Sequence, residues 1–254
     1  MIRKITTLIF TALVIVGCIS TDPQKAKPQP ERASELNLEM GVDYLRKGNL
    51  SQAKEKIDRA LEQNPRNAKA HAAAGVLYDR LGQTDKADSH FSRAVSLDPH
   101  DQDTHNNYAV FLCQKKKHFD KGTKMALEAA EDPLYKSPEI AWVNAANCAR
   151  SAGDMQSAEQ YLRSAVKARP KFAPALVQLA EVEYALKQYV PARAFLERYQ
   201  EIGRATPSTL WLAVRIERNL GNEAGAKNYA QRLKNEFPNA AETKELLESD
   251  RTAR

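Results

Sequence analysis

His100, Asp101, Asp103 and His105 are the densest set of metal-capable side chains in the 254-residue chain. Imidazole and carboxylate side chains so close together suit a divalent ion, but this set straddles a loop and lacks two histidines one helical turn apart, as in H-E-x-x-H. An Asp and a His beside a helix start more often cap and solvate it. His71 and His105 recur 34 residues apart, which points to packing roles between helices. No glycine-rich phosphate loop, no G-x-S-x-G and no Cys/His nucleophile arrangement occurs. The residues imply a non-enzyme with no metal, no cofactor and no small-molecule substrate. Two of the three cysteines, Cys113 and Cys148, sit in apolar, Ala-rich helical patterns, where a free thiol packs as a small hydrophobe. An oxidising compartment would permit a bond between them, but cysteine count does not fix geometry.

The third cysteine, Cys18, stands at a seam. Arg3 and Lys4 precede "ITTLIFTALVIV", Ile5 to Val16, twelve residues without a charge. That is the layout of a secretory leader and falls short of the ~20 apolar residues that span a bilayer. Ile15-Val16-Gly17-Cys18 resembles the bacterial lipobox. The resemblance implies a lipoprotein signal peptide over 1–17, diacylglycerol on the Cys18 sulfur and acylation, palmitate included, of the new amino terminus. Three acyl chains exceed the two signals that stable anchoring takes. Ile19, where an Asp would signal inner-membrane retention, implies an outer-membrane lipoprotein facing the periplasm. Residues 18–33 then form the lipidated cysteine and a tether. With Pro23, Pro28 and Pro30 and no large apolar residue beyond Ile19, the tether buries too little to fold.

Charge excludes another class. The chain has 38 Lys and Arg against 32 Asp and Glu, net +6. Both signs are interspersed, without the basic stripe that binds nucleic acid.

A spacing of 34 dominates the rest of the chain: Gly41/Gly75, Tyr44/Tyr78, Gly48/Gly82, Ala53/Ala87, Ala60/Ala94 and Pro65/Pro99. Small residues let two antiparallel helices cross, a glycine supplies the turn, and a proline stops the second helix. The pattern resembles the tetratricopeptide repeat. The expected fold is all-α, a right-handed superhelical solenoid of about six helix-turn-helix units over 34–250. The units are 34–67, 68–101, 102–138, 139–172, 173–206 and 207–240, with a capping helix at 241–250. The third unit carries one extra residue within Lys115–His118 and a longer exit loop, "EDPLYKSP". The fifth has Glu183 where an aromatic is expected.

In a tetratricopeptide array the first helix of each unit lines a concave groove. The resemblance therefore implies a partner-binding groove at Leu38, Val42, Leu45 and Arg46, then Ala72, Val76 and Arg80, then Asn106 and Val110. This is an apolar trough edged by Arg46 and Arg80. Beyond it the lining becomes Asn147 and Arg150, Glu181 and Tyr184, and Trp211, Arg215 and Arg218. The family's carboxylate clamp wants Lys and Asn where Leu38 and Val42 stand, so an apolar segment suits the first half better than an acidic tail.

"MGVDYLRKGNL", "HNNYAVFLCQKKKHFDKG" and "YVPAR", two of which include departures from the generic repeat, resemble the type IV pilus biogenesis lipoproteins, the pilotins of the PilF/PilW family. That resemblance spans nearly the whole chain. It implies an anchored partner of the pilus secretin, needed for the secretin's outer-membrane localisation and multimerisation. The same architecture also suits a periplasmic scaffold or adaptor for peptidoglycan enzymes or for outer-membrane protein assembly.

Overall fold

The computed structural model describes residues 29–252. The expected signal peptide, Cys18 and most of the expected tether lie outside the described residues. Seven helices alternate with six partners: α1 (Pro30–Arg46) with α2 (Leu50–Gln63), α3 (Ala68–Arg80) with α4 (Thr84–Leu97), and α5 (Gln102–Phe111) with α6 (Phe119–Glu131). There follow α7 (Pro138–Ala152) with α8 (Met155–Ala168), α9 (Ala173–Ala185) with α10 (Tyr189–Gln200), α11 (Pro207–Asn219) with α12 (Glu223–Glu236), and the terminal α13 (Ala241–Thr252). First helices of successive units stack on one another to form the inner wall, and α13 closes the array against α11 and α12. This is the expected all-α tetratricopeptide solenoid. The first helix starts at Pro30, four positions ahead of the first expected unit, because proline at a helix start gives up an N–H that has no partner there anyway.

Local chemistry sets the boundaries. The side chains of Asn49, Asn67, Asp101, Asp154 and Asn222 each accept from a backbone N–H in the first turn that follows, a cap worth about 1 kcal/mol. Gly48 turns α1 into α2 at φ 74°, in the left-handed region that glycine enters without strain. The third and fifth units place Lys117 and Lys187 at the matching turns, at φ 57° and 62°. Within a unit the helices approach closely enough that a Cβ on Gly75 would lie 2.7 Å from the ring of Phe91. Phe91 is 2% exposed, a burial worth roughly 1.5–3 kcal/mol.

Two departures in the sequence have structural reasons. The extra residue of the third unit is absorbed as a π-turn, Leu112–Lys116, at the end of α5, where one residue more than a regular turn must fit without breaking the helix. Glu183 is fully buried and pairs with Arg163 on α8, so the tyrosine of the first two units, Tyr44 and Tyr78, is replaced here by an ion pair between units. Burial pushes the Glu183 carboxyl up, and the Arg163 guanidinium pulls it back. Glu217, one unit on, accepts two hydrogen bonds from Arg193, at 2.8 and 2.5 Å.

Candidate functional site: the concave groove

The groove is a row of three cavities. The first, about 760 Å³, lies between α1 and the start of α3 and is lined by Leu38 and Val42, with Arg46, Lys69, Glu35 and Glu39 around them. Leu38 and Val42 owe their position to α1, whose other face packs Gly41 and Leu45 on the core. They are half-buried, leaving part of each aliphatic side chain toward the cavity. Glu31 also lines this cavity. These carboxylates went unremarked in the sequence; Glu35 holds a groove position of the repeat, while Glu31 joins only because α1 begins early.

The other residues expected in the groove are placed differently. Leu45 is 5% exposed and packs in the core. Arg80 donates from Nη1 to the Leu45 carbonyl at 2.5 Å, tying α3 to α1 across the unit boundary. Ala72 and Val76 are half-buried, and Val76 leans on the first core cluster. Asn106 is buried and accepts from Asn144 Nδ2 at 2.9 Å, which links α5 to α7. Val110 lines the second cavity, about 520 Å³, with Gln114, Asn144, Asn147 and Arg150. The apolar stretch is therefore concentrated at Leu38 and Val42, with polar ladders between it and Val110.

The wall of the second cavity corrects one expectation. Cys113 and Cys148, read as packed thiols, form a disulfide with their Cα atoms 5.4 Å apart. Cys113 belongs to the π-turn and Cys148 to α7, so the bond ties the third unit to the fourth. The chain makes room for it: five units carry alanine (Ala53, Ala87, Ala158, Ala192, Ala226) where the third has Gly122, and a Cβ there would stand 2.2 Å from Cys113 Sγ.

The third cavity, about 440 Å³, is lined by Glu181, Tyr184, Trp211, Arg215, Arg150 and Glu242. Arg150 pairs with Glu181 at 3.3 Å.

Asp101, Asp103 and His71 are engaged in structure, while His105 is buried with neither ring nitrogen hydrogen-bonded and its Nδ1 3.7 Å from Glu128 Oε2. Asp101 caps α5, accepting from the Thr104 backbone and hydroxyl at 3.3 and 2.7 Å. Asp103 accepts from the Tyr135 hydroxyl at 3.0 Å, and burial together with that carboxylate raises the phenol's pKa. His71 Nε2 donates to the Pro65 carbonyl at 3.1 Å, which leaves its Nδ1 as acceptor for His90 Nδ1–H at 3.0 Å. Burial lowers the pKa of both rings.

Profiles described as tetratricopeptide repeat match residues 38–110 and 124–173, 149–214, and 209–240. The chain is 25% identical over 238 residues to the type IV pilus assembly protein PilF of Pseudomonas aeruginosa, covering 92% of this chain and 94% of that one. The crystal structure of PilW, a widely conserved type IV pilus biogenesis factor, superposes with a TM-score of 0.77 at 30% identity, over 84% of this chain and 98% of that one. The structure of Pseudomonas aeruginosa PilF matches with a TM-score of 0.76 at 25% identity, over 87% and 99%. Repeat profiles, fold and coverage converge: the chain belongs to the tetratricopeptide-repeat family that includes the type IV pilus biogenesis proteins PilW and PilF.

Proposed function

We propose that this protein is a pilotin: a lipid-anchored, outer-membrane binding module, not an enzyme, that carries the type IV pilus secretin to the outer membrane and promotes its multimerisation. The observation that carries the reading is the end-to-end likeness to PilW and PilF, which leaves almost none of either relative unmatched. The chemistry of the groove supports it. A secretin subunit in transit exposes apolar surface that later becomes a membrane or subunit interface. The first cavity offers Leu38 and Val42 to such a segment, with Arg46 at its edge. Cys18 supplies the anchor and hence the destination.

The test follows secretin in cells. Val42→Asp puts a charge into the first cavity, where an aliphatic contact is worth roughly 1.5–3 kcal/mol, so binding should weaken at least tenfold. Secretin should remain monomeric or accumulate in the inner membrane, and surface pili should be lost, while the variant keeps its helical circular-dichroism spectrum. In parallel, Cys18→Ala should abolish palmitate labelling. Normal secretin multimers with folded Val42→Asp protein, or unchanged labelling of Cys18→Ala, would refute the corresponding half of the proposal.

A further inference from the structure

The far end of the groove holds an arginine clasped between aromatic rings. The Arg215 guanidinium carbon lies 4.8 Å from the centre of the Tyr184 ring and 5.6 Å from that of Trp211. Arg218 stacks on Trp211 from its own position at 5.9 Å. Tyrosine, arginine, tryptophan and arginine thus form an alternating stack built from α9 and α11. Such stacking fixes the plane of a guanidinium and so its fork of donors.

The neighbouring arginines are each in an ion pair. Arg218 pairs with Asp250, and Arg150 pairs with Glu181. Arg215 has no ion-pair partner among the described residues, and its Nε is buried without a hydrogen-bond acceptor. A buried donor without a partner is costly, and a guanidinium is best satisfied by a carboxylate accepting two parallel bonds.

We propose that Arg215, held between Tyr184 and Trp211, is a receptor for the side-chain carboxylate of one Asp or Glu in an extended peptide segment lying along the carboxy-terminal half of the groove. One carboxylate supplies the partner that the Arg215 guanidinium lacks, Arg150 being already paired with Glu181. A run of acids is disfavoured, because Glu181 and Glu242 also line the cavity and repel it. An internal segment is favoured over a chain end, because Arg150 lines both this cavity and the next. The bound chain then continues toward Asn147 and Val110. Trp211 and Tyr184 offer ring surface to the apolar neighbours of the acid. This site is separate from the first cavity and stands whether or not the secretin occupies Leu38 and Val42.

The test uses three acetylated peptides on the unmutated protein: one with a central Asp between leucines and an amidated end; its amidated Asn counterpart; and the Asn peptide with a free carboxyl terminus. Titrations are followed at the Trp211 indole N–H by nuclear magnetic resonance. The Asp peptide should shift that signal and bind about tenfold more tightly than the Asn peptide. Arg215→Gln should erase the difference, and Arg215→Lys, which keeps the charge but loses the planar fork, should retain only part of it. Equal affinity of the amidated Asp and Asn peptides would overturn the proposal, as would tight binding by the free-acid Asn peptide alone. Survival of the Asp preference in folded Arg215→Gln protein would do the same.

Discussion

Gly122 and Cys113 can occupy their places only because one of them has no side chain: a Cβ on Gly122 would stand 2.2 Å from the Cys113 sulfur and 2.9 Å from the Ala109 carbonyl oxygen. Gly122→Ala, which installs the residue that all five other units carry at this position, should therefore destabilise the protein by about 1–3 kcal/mol, the usual range for overpacking. In a Cys113→Ala, Cys148→Ala background the same change should cost less, since the sulfur contact is gone while the Ala109 carbonyl contact at 2.9 Å remains. A double-mutant cycle from denaturant melts measures the coupling. Additive costs would show that the glycine and the disulfide are unrelated.

The disulfide itself joins residues 35 apart in sequence. Closing a loop of that length removes unfolded-state entropy worth roughly 3–4 kcal/mol. In a repeat array each unit rests on its neighbours, so reduction should raise hydrogen exchange mainly across α5 to α7. The first and sixth units should change little. A uniform rise over all the described helices would contradict this.

The His71–His90 pair predicts a pH dependence with a definite sign. Both rings have pKa values lowered by burial from 6.5, so the unfolded chain takes up protons first as the pH falls through 6.5. Stability is full above that value and is lost as pH drops toward the lowered folded values. Arg93 works in the same direction at His71, as does Lys86 at His90, while Asp58 opposes it at His90. Replacing both histidines by glutamine should flatten the stability profile between about pH 7 and pH 5. Denaturant midpoints across that interval provide the measurement, and an unchanged slope would exclude the pair as its source.

How much of this could be read in the sequence differs from element to element. The 34-residue spacing is enough for the solenoid, because a small residue at the helix crossing (Gly41, Gly75, Ala109, Ala146, Ala180) and a left-handed turn at the Gly48 position are local demands that recur in nearly every unit. The insertion near Lys115 was visible as a count, but a count does not distinguish a longer loop from a π-turn. The disulfide left one sign that composition hides: glycine in the third unit where every other unit has alanine. In the groove, Leu38, Val42 and Val110 reach cavities as their repeat positions imply. Arg80 and Asn106 do not stand free, because a long or polar side chain takes the nearest partner from the next unit, here the Leu45 carbonyl and Asn144. Those partners depend on how units stack, which repeat position alone does not encode. Trp211 and Arg215 were legible as lining. Their stacking with Tyr184 was not, since it joins two units.

The bond between Cys113 and Cys148 also sets how the protein answers a pull. Tension between the two ends of a stacked array peels it unit by unit, each released segment adding its extended length. Here the segment between the bonded cysteines, 35 positions apart, is shunted out of the load path. At about 3.4 Å per residue, some 120 Å of slack is withheld. Force passes through the sulfurs instead of through α6, and the middle of the solenoid acts as an inextensible buckle between two extensible arms.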